Sequence, residues 1–179
     1  DHKSSRGLGD VYKRQFPITG VIGDQQSALF GQDCLSLGDM KITFGTGCFL
    51  MVNTLKEIVY SQSNLLTTVG YQIGSNKEST FSVEGSIYSA GSAIQWLRDG
   101  LKVFDNTKHS ENFINSNFDS GGVKFVPAFT GLGAPHWNSS IRASFQGIQR
   151  DTSINDLVTS VFKSICCLLY TSPSPRDDL

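Results

Sequence analysis

The stretch from Ile18 to Val52 constrains the fold of this chain more than any other, because two glycine-bounded apolar runs lie close together there. The first run, residues 18–22, is short and β-branched, and it is followed by the acid Asp24 and the amide Gln25. This pattern predicts a buried strand with a carboxylate just past its end. In α/β folds, that is the position where the chemistry is placed.

The second run predicts a β-hairpin over residues 41–53. Polar and apolar residues alternate over Lys41–Phe44, the chain turns at Gly45-Thr46-Gly47, and an apolar run follows. Glycines let a backbone approach a bound group closely and aim its N–H donors at an anion, and a threonine hydroxyl adds another donor. The hairpin tip, Gly45, Thr46 and Gly47, is therefore a candidate phosphate-binding loop, although the same residues also suit an ordinary turn.

The middle of the chain predicts a second hairpin, over residues 65–83, and then a helix. The helix is expected to open at residues 84–86 and to present one apolar face from Ile87 to Leu101. Gly91 and Gln95 are four residues apart and so share a face of this helix. A glycine inside a helix costs about 1 kcal/mol relative to alanine. Close helix packing or the close approach of a ligand would compensate.

Towards the end of the chain, residues 144–148 predict a strand. A helix is expected next, capped over residues 151–154.

Charge and composition exclude several classes of protein. The 179 residues are 39% hydrophobic, which suits one globular domain. The 15 basic and 16 acidic side chains form no basic cluster, so nucleic acid is not expected as a partner. No apolar run approaches the roughly 20 residues of a membrane span. The four cysteines have neither metal-ligand spacing nor the density of a disulfide scaffold, and a reduced, cytoplasmic protein is expected.

Both ends of the chain look foreign to the rest. Residues 1–15 carry no apolar period, and residues 168–179 break a helical pattern. Both are interpreted as translated sequencing-adaptor reads, with natural polar tails as the alternative, and both are excluded from the fold argument.

Three phrases carry a resemblance to a known family. They are Gly-Asp-Gln-Gln-Ser-Ala-Leu-Phe-Gly-Gln at residues 23–32, Phe-Gly-Thr-Gly-Cys-Phe-Leu-Met-Val-Asn-Thr at 44–54, and Ala-Gly-Ser-Ala-Ile-Gln-Trp-Leu-Arg-Asp at 90–99. Together they resemble the FGGY carbohydrate kinases and, within that family, the glycerol kinases. The resemblance implies an α/β chain with part of the actin-like (ribonuclease H-like) ATPase fold. Residues 16–37 would end the N-terminal domain, and residues 38–167 would form a truncated C-terminal domain.

The resemblance also implies an activity, ATP-dependent phosphorylation of glycerol to glycerol 3-phosphate with Mg²⁺, for a longer chain of which this segment alone would be inactive. Asp24 would be the catalytic base and would bind the substrate together with Gln25 and Phe49. Nucleotide contacts would come from Thr46, Gly91 and Gln95, to which the physical argument above adds Gly45 and Gly47. No metal-binding residue is expected, because phosphates and waters would hold the Mg²⁺. The expected partners are glycerol and ATP, and the resemblance leaves open a homo-oligomer of the full-length protein.

Two other functions remain open from the sequence. A sister kinase acting on a pentulose or a similar polyol has the same fold, although an aromatic residue at Phe49 favours a small three-carbon substrate. A non-catalytic actin-like protein is the second alternative. Asp24 next to Gln25 argues against it, because a purely structural relative has no use for a base beside an amide that orients a polyol.

Overall fold

The computed structural model describes residues 7–10, 14–75 and 77–171 and shows a mixed α/β chain, as predicted. In chain order, the elements are β1 (Gly7–Asp10), β2 (Arg14–Pro17), α1 (Asp24–Gly31), β3 (Met40–Phe44), β4 (Cys48–Leu55), β5 (Leu66–Val69), β6 (Phe81–Ile87), α2 (Gly91–Asp99), a 3₁₀-helix (Thr107–Phe113), β7 (Lys124–Val126), β8 (Ser144–Gln146) and α3 (Ile154–Thr171).

The largest sheet has four strands in the order β3-β4-β6-β5, and each neighbouring pair is antiparallel. Phe44 pairs with Cys48, which closes the first predicted hairpin around its three-residue tip. The second predicted hairpin is formed by β5 and β6. Both hairpin predictions are confirmed. Two further pairs of strands, β1 with β2 and β7 with β8, form separate two-stranded sheets.

The two faces of the four-stranded sheet differ in polarity. Directly paired residues lie on the same face, so the register puts Cys48, Leu50, Val52, Val83 and Ile87 on one side. The opposite side, here called the polar face, carries Lys41, Thr43, Phe49, Met51, Asn53, Ser82, Glu84 and Ser86. Helix α1 packs on the polar face, where Leu29, Cys34 and Met51 form a small buried cluster.

The main core lies between the apolar face, α2, β7 and α3. Its buried members are Cys48, Ile87, Ala90, Ala93, Leu97, Phe104, Phe125, Val158, Val161 and Ile165. Helix α3 begins with a reciprocal cap: the Asp156 N–H donates to Ser153 Oγ (3.2 Å) and the Ser153 N–H donates to Asp156 Oδ2 (2.8 Å). The predicted cap is thus confirmed at Ser153.

The prediction of a buried strand over residues 18–22 is wrong. These residues have no regular structure, and Val21 is 92% exposed. The composition of the run suits a strand, but a strand also needs a neighbour to pair with. Among the described strands, those of the four-stranded sheet pair only with one another.

The predicted start of the second helix is also wrong. Residues 84–87 belong to strand β6, and α2 begins at Gly91. All four residues pair with β4 and Glu84 also pairs with β5, and this pairing outweighs the helical spacing of Ile87 with the later apolar residues. At the other end, Leu101 lies beyond the helix and is 44% exposed, so it does not extend the buried face.

Near the C-terminus, α3 continues to Thr171, four residues beyond the predicted boundary at 167, and Leu168 and Leu169 pack against the main core. The helical pattern therefore does not break at residue 168. The interpretation of residues 1–15 and 168–179 as foreign stays a prediction, and it falls partly outside the described residues. Within the described part of the chain, no helix is both long and apolar enough to cross a membrane.

A pair of leucine substitutions tests the packing of α2. Leu97 is fully buried in the main core, so Leu97→Ala should lower the free energy of unfolding by about 2–5 kcal/mol through lost apolar contact and the cavity left behind. Leu101→Ala removes the same atoms from a site beyond the helix end, and its cost should stay below about 1 kcal/mol. Urea unfolding of both variants measures the difference, and equal costs would contradict the packing described here.

Candidate active site

Asp24 is the first residue of α1. Gly23 precedes it in an extended conformation, and the Asp24 side chain is exposed and accepts a hydrogen bond from the Gln25 N–H (2.8 Å). A helix N-terminus carries unpaired N–H groups and a partial positive charge, which favour an ionised carboxylate. Asp24 is therefore an accessible carboxylate held at a fixed point on the polar face.

A lysine that the sequence reasoning did not select lies next to Gln25. Lys41 is only 5% exposed, and its Nζ donates to Gln25 Oε1 and to Thr43 Oγ1, the latter at 2.8 Å. The alternation in β3 indicates a strand but not which side faces inwards. The structure turns Lys41 and Thr43 inwards and leaves Ile42 exposed.

Phe49 belongs to the same face. It is half-buried on β4 and is paired directly with Thr43 on one side and Ser86 on the other. Gln25 is tied to this region through Lys41, which holds both Gln25 and Thr43. The three predicted substrate residues thus lie on or beside the polar face of one hairpin.

Two charges of opposite sign, on the buried Lys41 and the half-buried Glu84, shape the electrostatics of this face. Burial lowers the pKa of Lys41, and the nearby carboxylates of Glu84 and Asp24 oppose that shift. Burial likewise raises the pKa of Glu84, while Lys41 acts in the opposite direction and Asp24 adds to the rise. Glu84 is a second residue that sequence reasoning missed, because it was placed at the start of a helix.

The hairpin tip is fastened to the N-terminus of α2 by backbone hydrogen bonds. The Gly91 N–H donates to the Gly45 carbonyl, and the Ala90 and Ser92 N–H groups donate to the Thr46 carbonyl, each at 3.0 Å. Helix N-termini normally leave such donors unpaired. Here they are satisfied by the tip, so these donors are not available to an anion.

Glycines make this close approach possible. A Cβ atom on Gly91 would overlap the Gly45 carbonyl oxygen, and one on Gly47 would overlap the Ile87 carbonyl oxygen. Gly91 begins the helix instead of lying inside it, so the expected interior-glycine cost does not apply. Of the two explanations offered by the sequence, the structure shows close packing.

The outer side of the tip remains open. Thr46 and Gln95 are exposed, and a Cβ atom on Gly45 would have as its nearest neighbour the Gly47 carbonyl oxygen at 3.9 Å. The Gly45 N–H donates to the Gly47 carbonyl (2.8 Å), so this donor is used within the turn. The five predicted nucleotide residues therefore form one connected region of the tip and α2.

Residues 40–171 match the family model described as the C-terminal domain of the FGGY family of carbohydrate kinases. A glycerol kinase of Parabacteroides distasonis is 45% identical over 160 residues, covering 89% of this chain and 32% of the relative. Glycerol kinase 1 of Pseudomonas aeruginosa is 49% identical over 150 residues, covering 84% of this chain and 30% of the relative. The chain thus spans about a third of the length of these curated relatives.

Solved structures of two kinases share the fold. The crystal structure of Plasmodium falciparum glycerol kinase with ADP has a TM-score of 0.77 and 39% identity, covering 91% of this chain and 31% of that one. A xylulose kinase of Brucella ovis has a TM-score of 0.66 and 18% identity, covering 83% of this chain and 30% of that one. At 18% identity, the second likeness concerns the fold alone.

Two glycine substitutions test the junction between the tip and α2. Gly91→Ala should lower the free energy of unfolding by about 1–3 kcal/mol, because the new methyl group forces the Gly45 carbonyl away. Gly45→Ala is the matched control on the other side of the same contact, and it should change stability by less than about 1 kcal/mol. Thermal or urea unfolding compares them, and a harmless Gly91→Ala would refute the close contact.

The half-buried Glu84 should make stability depend on pH with a definite sign. Between its ordinary value of 4.5 and its raised folded pKa, the folded chain binds more protons than the unfolded chain. Its contribution to the free energy of unfolding therefore falls as the pH rises through that window. Glu84→Gln should gain stability relative to the parent as the pH rises above 4.5, as measured by urea unfolding at several pH values.

Glu78 supplies a control of opposite sign. It is exposed, and its hydrogen bond and ion pair with Lys56 lower its pKa, so its small contribution is lost as the pH falls below 4.5. Glu78→Gln should therefore lose stability relative to the parent as the pH rises towards 4.5. The same sign for both variants would contradict the environment described for Glu84.

Proposed function

The chain belongs to the FGGY family of carbohydrate kinases, and on this premise we propose that it forms part of the active site of an ATP-dependent glycerol kinase. The reaction transfers the γ-phosphoryl group of ATP to a hydroxyl of glycerol and yields glycerol 3-phosphate. The family's solved relatives have the actin-like ATPase fold, and the described elements have the same arrangement. The activity is assigned to a protein of the length of its relatives, of which this segment supplies one part.

One observation carries the choice of glycerol. Nearly half of the residues are identical to those of proteins named glycerol kinase, over 84–89% of the chain. Identity to the xylulose kinase structure is 18%, although the fold is shared. Substrate choice in one fold depends on the particular side chains at the site, and this difference in identity therefore favours glycerol.

Asp24 is proposed as the general base. Phosphorylation of an alcohol requires loss of the hydroxyl proton as its oxygen attacks phosphorus, and a carboxylate within hydrogen-bond reach accepts that proton. Asp24 is exposed and lies beside Gln25, which would orient a hydroxyl of the polyol. Phe49 would pack against the carbon skeleton and limit the pocket to a small substrate.

The tip and α2 are proposed to border the nucleotide. The Thr46 hydroxyl is exposed and forms no hydrogen bond to other described residues, so it is free to donate to a phosphate oxygen. The open space beside Gly45 admits a bound group that a side chain would obstruct. Gly91 holds the tip in place, and Gln95, one turn along α2, presents an exposed amide.

Mg²⁺ is proposed to accompany ATP and to neutralise phosphate charge when bound. Within the described residues, no group of three or more His, Cys, Asp or Glu side chains is arranged to hold a metal ion. The proposed ligands are therefore phosphate oxygens and water. An ATP-dependent reaction and the free thiols of Cys34, Cys48 and Cys166 are consistent with the proposed location in the cytoplasm.

A pentulose or similar sugar kinase is the alternative within the family. The test uses the protein from the longest reading frame that carries this sequence. Its rate of phosphorylation of glycerol is compared with its rates on a panel of ketoses, and this comparison separates the two functions. If the protein phosphorylates a ketose faster than glycerol, the ketose replaces glycerol as the proposed substrate. Absence of any phosphorylation would favour the non-catalytic alternative.

Replacement of Asp24 tests its proposed role in the same protein. Asp24→Asn should lower kcat by about 10²–10⁴-fold while leaving the KM for ATP nearly unchanged, because the amide cannot accept the proton. Asp33→Asn is the matched control: Asp33 is exposed and follows α1, and its positive φ of 58° is a conformation that asparagine adopts readily. Unchanged turnover in Asp24→Asn would remove Asp24 from the mechanism.

A further inference from the structure

We propose that Lys41 is a positioning residue that fixes the direction of the Gln25 amide, so that Gln25 donates a hydrogen bond to the polyol instead of accepting one. This inference rests on the proposed function. It adds a buried lysine to the site and states which partner donates in the hydrogen bond between Gln25 and the substrate.

The contact that carries the inference is the hydrogen bond from Lys41 Nζ to Gln25 Oε1. Lys41 is 5% exposed, which is rare for a lysine unless the ammonium is paired. Its second acceptor is Thr43 Oγ1, two residues along the same strand. Gln25 is half-buried at the start of α1, so the bond joins the helix to the sheet.

The chemistry of the two groups sets the direction of the amide. An ammonium has three donors and no acceptor, whereas a glutamine amide has an acceptor oxygen and a donor –NH₂. The side of the amide that faces Lys41 must therefore be Oε1. The Nε2 group forms no hydrogen bond to other described residues, and it is left for a substrate oxygen.

The surrounding charges support an ionised Lys41. The charged or ionisable groups that act on it are the carboxylates of Glu84 on β6 and Asp24 on α1, together with the thiols of Cys48 and Cys34. The two carboxylates oppose the lowering of the lysine pKa by burial. Burial has the larger effect and lowers the pKa of Lys41, while the two carboxylates act in favour of the ammonium form, which can only donate.

This polarity complements the proposed base. Asp24 accepts a proton from a hydroxyl, while Gln25 donates to an oxygen of the same polyol. A hydroxyl group both donates and accepts hydrogen bonds, so an acceptor beside a donor can bind the hydroxyl groups of a polyol. Two acceptors in the same place would bind only the hydroxyl protons and would repel the oxygen lone pairs.

Gln25→Glu tests the polarity directly, in the protein from the longest reading frame that carries this sequence. The carboxylate keeps an acceptor towards Lys41 but replaces the –NH₂ donor by an oxygen. We expect the KM for glycerol to rise about tenfold or more, the equivalent of one lost hydrogen bond, with a smaller change in kcat. Gln26→Glu adds the same charge one residue later without meeting Lys41, and its KM should stay within about twofold. An unchanged KM in Gln25→Glu would overturn the proposal.

Lys41→Met tests the positioning role. Without the ammonium the amide is free to rotate, so the KM for glycerol should rise about tenfold while the KM for ATP is unchanged. Thr43→Val removes the other acceptor of Lys41 and should leave both constants within about twofold. If Lys41→Met fails to fold, Gln25→Glu still decides the question.

The failure of this proposal is distinguishable from failure of the proposed function. If the parent protein phosphorylates glycerol but neither Lys41→Met nor Gln25→Glu changes the KM for glycerol, only the positioning role is wrong. If the parent protein phosphorylates no polyol, the proposed function itself is wrong. In that case a kinetic role for Lys41 is overturned with it.

Discussion

The arrangement of the candidate site depends on the hydrogen bonds between the hairpin tip and the first N–H groups of α2. These bonds satisfy donors that a helix start would otherwise leave unpaired, and they do so with carbonyl groups of Gly45 and Thr46. The same hairpin carries Phe49 on its polar face and meets α1 through Lys41. The proposed phosphate and polyol sides of the site are therefore parts of a single backbone unit.

The charges on and near the polar face reduce the stability of the fold. The buried Lys41 and the half-buried Glu84 lose hydration there, as their opposite pKa shifts indicate, and charges removed from water rarely stabilise a fold as well as apolar side chains of the same size. Perturbed charges of this kind concentrate at functional sites. In this chain they lie beside the residues proposed to bind the polyol, and their cost is consistent with a role in orienting that site.

Local chemistry in the sequence was enough to predict the two hairpins and the cap of α3. The two wrong predictions, of a strand over residues 18–22 and of a helix start at residues 84–86, have a common cause, which is the pairing between strands. Residues 18–22 have the composition of a strand but no partner, and residues 84–87 fit a helical spacing because their pairing with β4, and that of Glu84 with β5, is not encoded locally. Lys41 was missed for a related reason: an alternating strand has two faces, and only the packing of α1 determines which one is inward. Motif resemblance selected most of the proposed site residues, and the physical argument on the hairpin tip added Gly45 and Gly47.

The inward and outward alternation of β3 has a consequence for how this segment tolerates genetic change. Lys41 and Thr43 face α1, whereas Met40, Ile42 and Phe44 face outwards. Because the side-chain period of a strand is two, the gain or loss of a single residue between the tip and Lys41 would bring an aliphatic side chain to the position that holds Gln25. Many single substitutions on the outer side of β3 leave that geometry intact. Insertions and deletions within the hairpin should therefore be far rarer among functional variants than substitutions at its exposed positions.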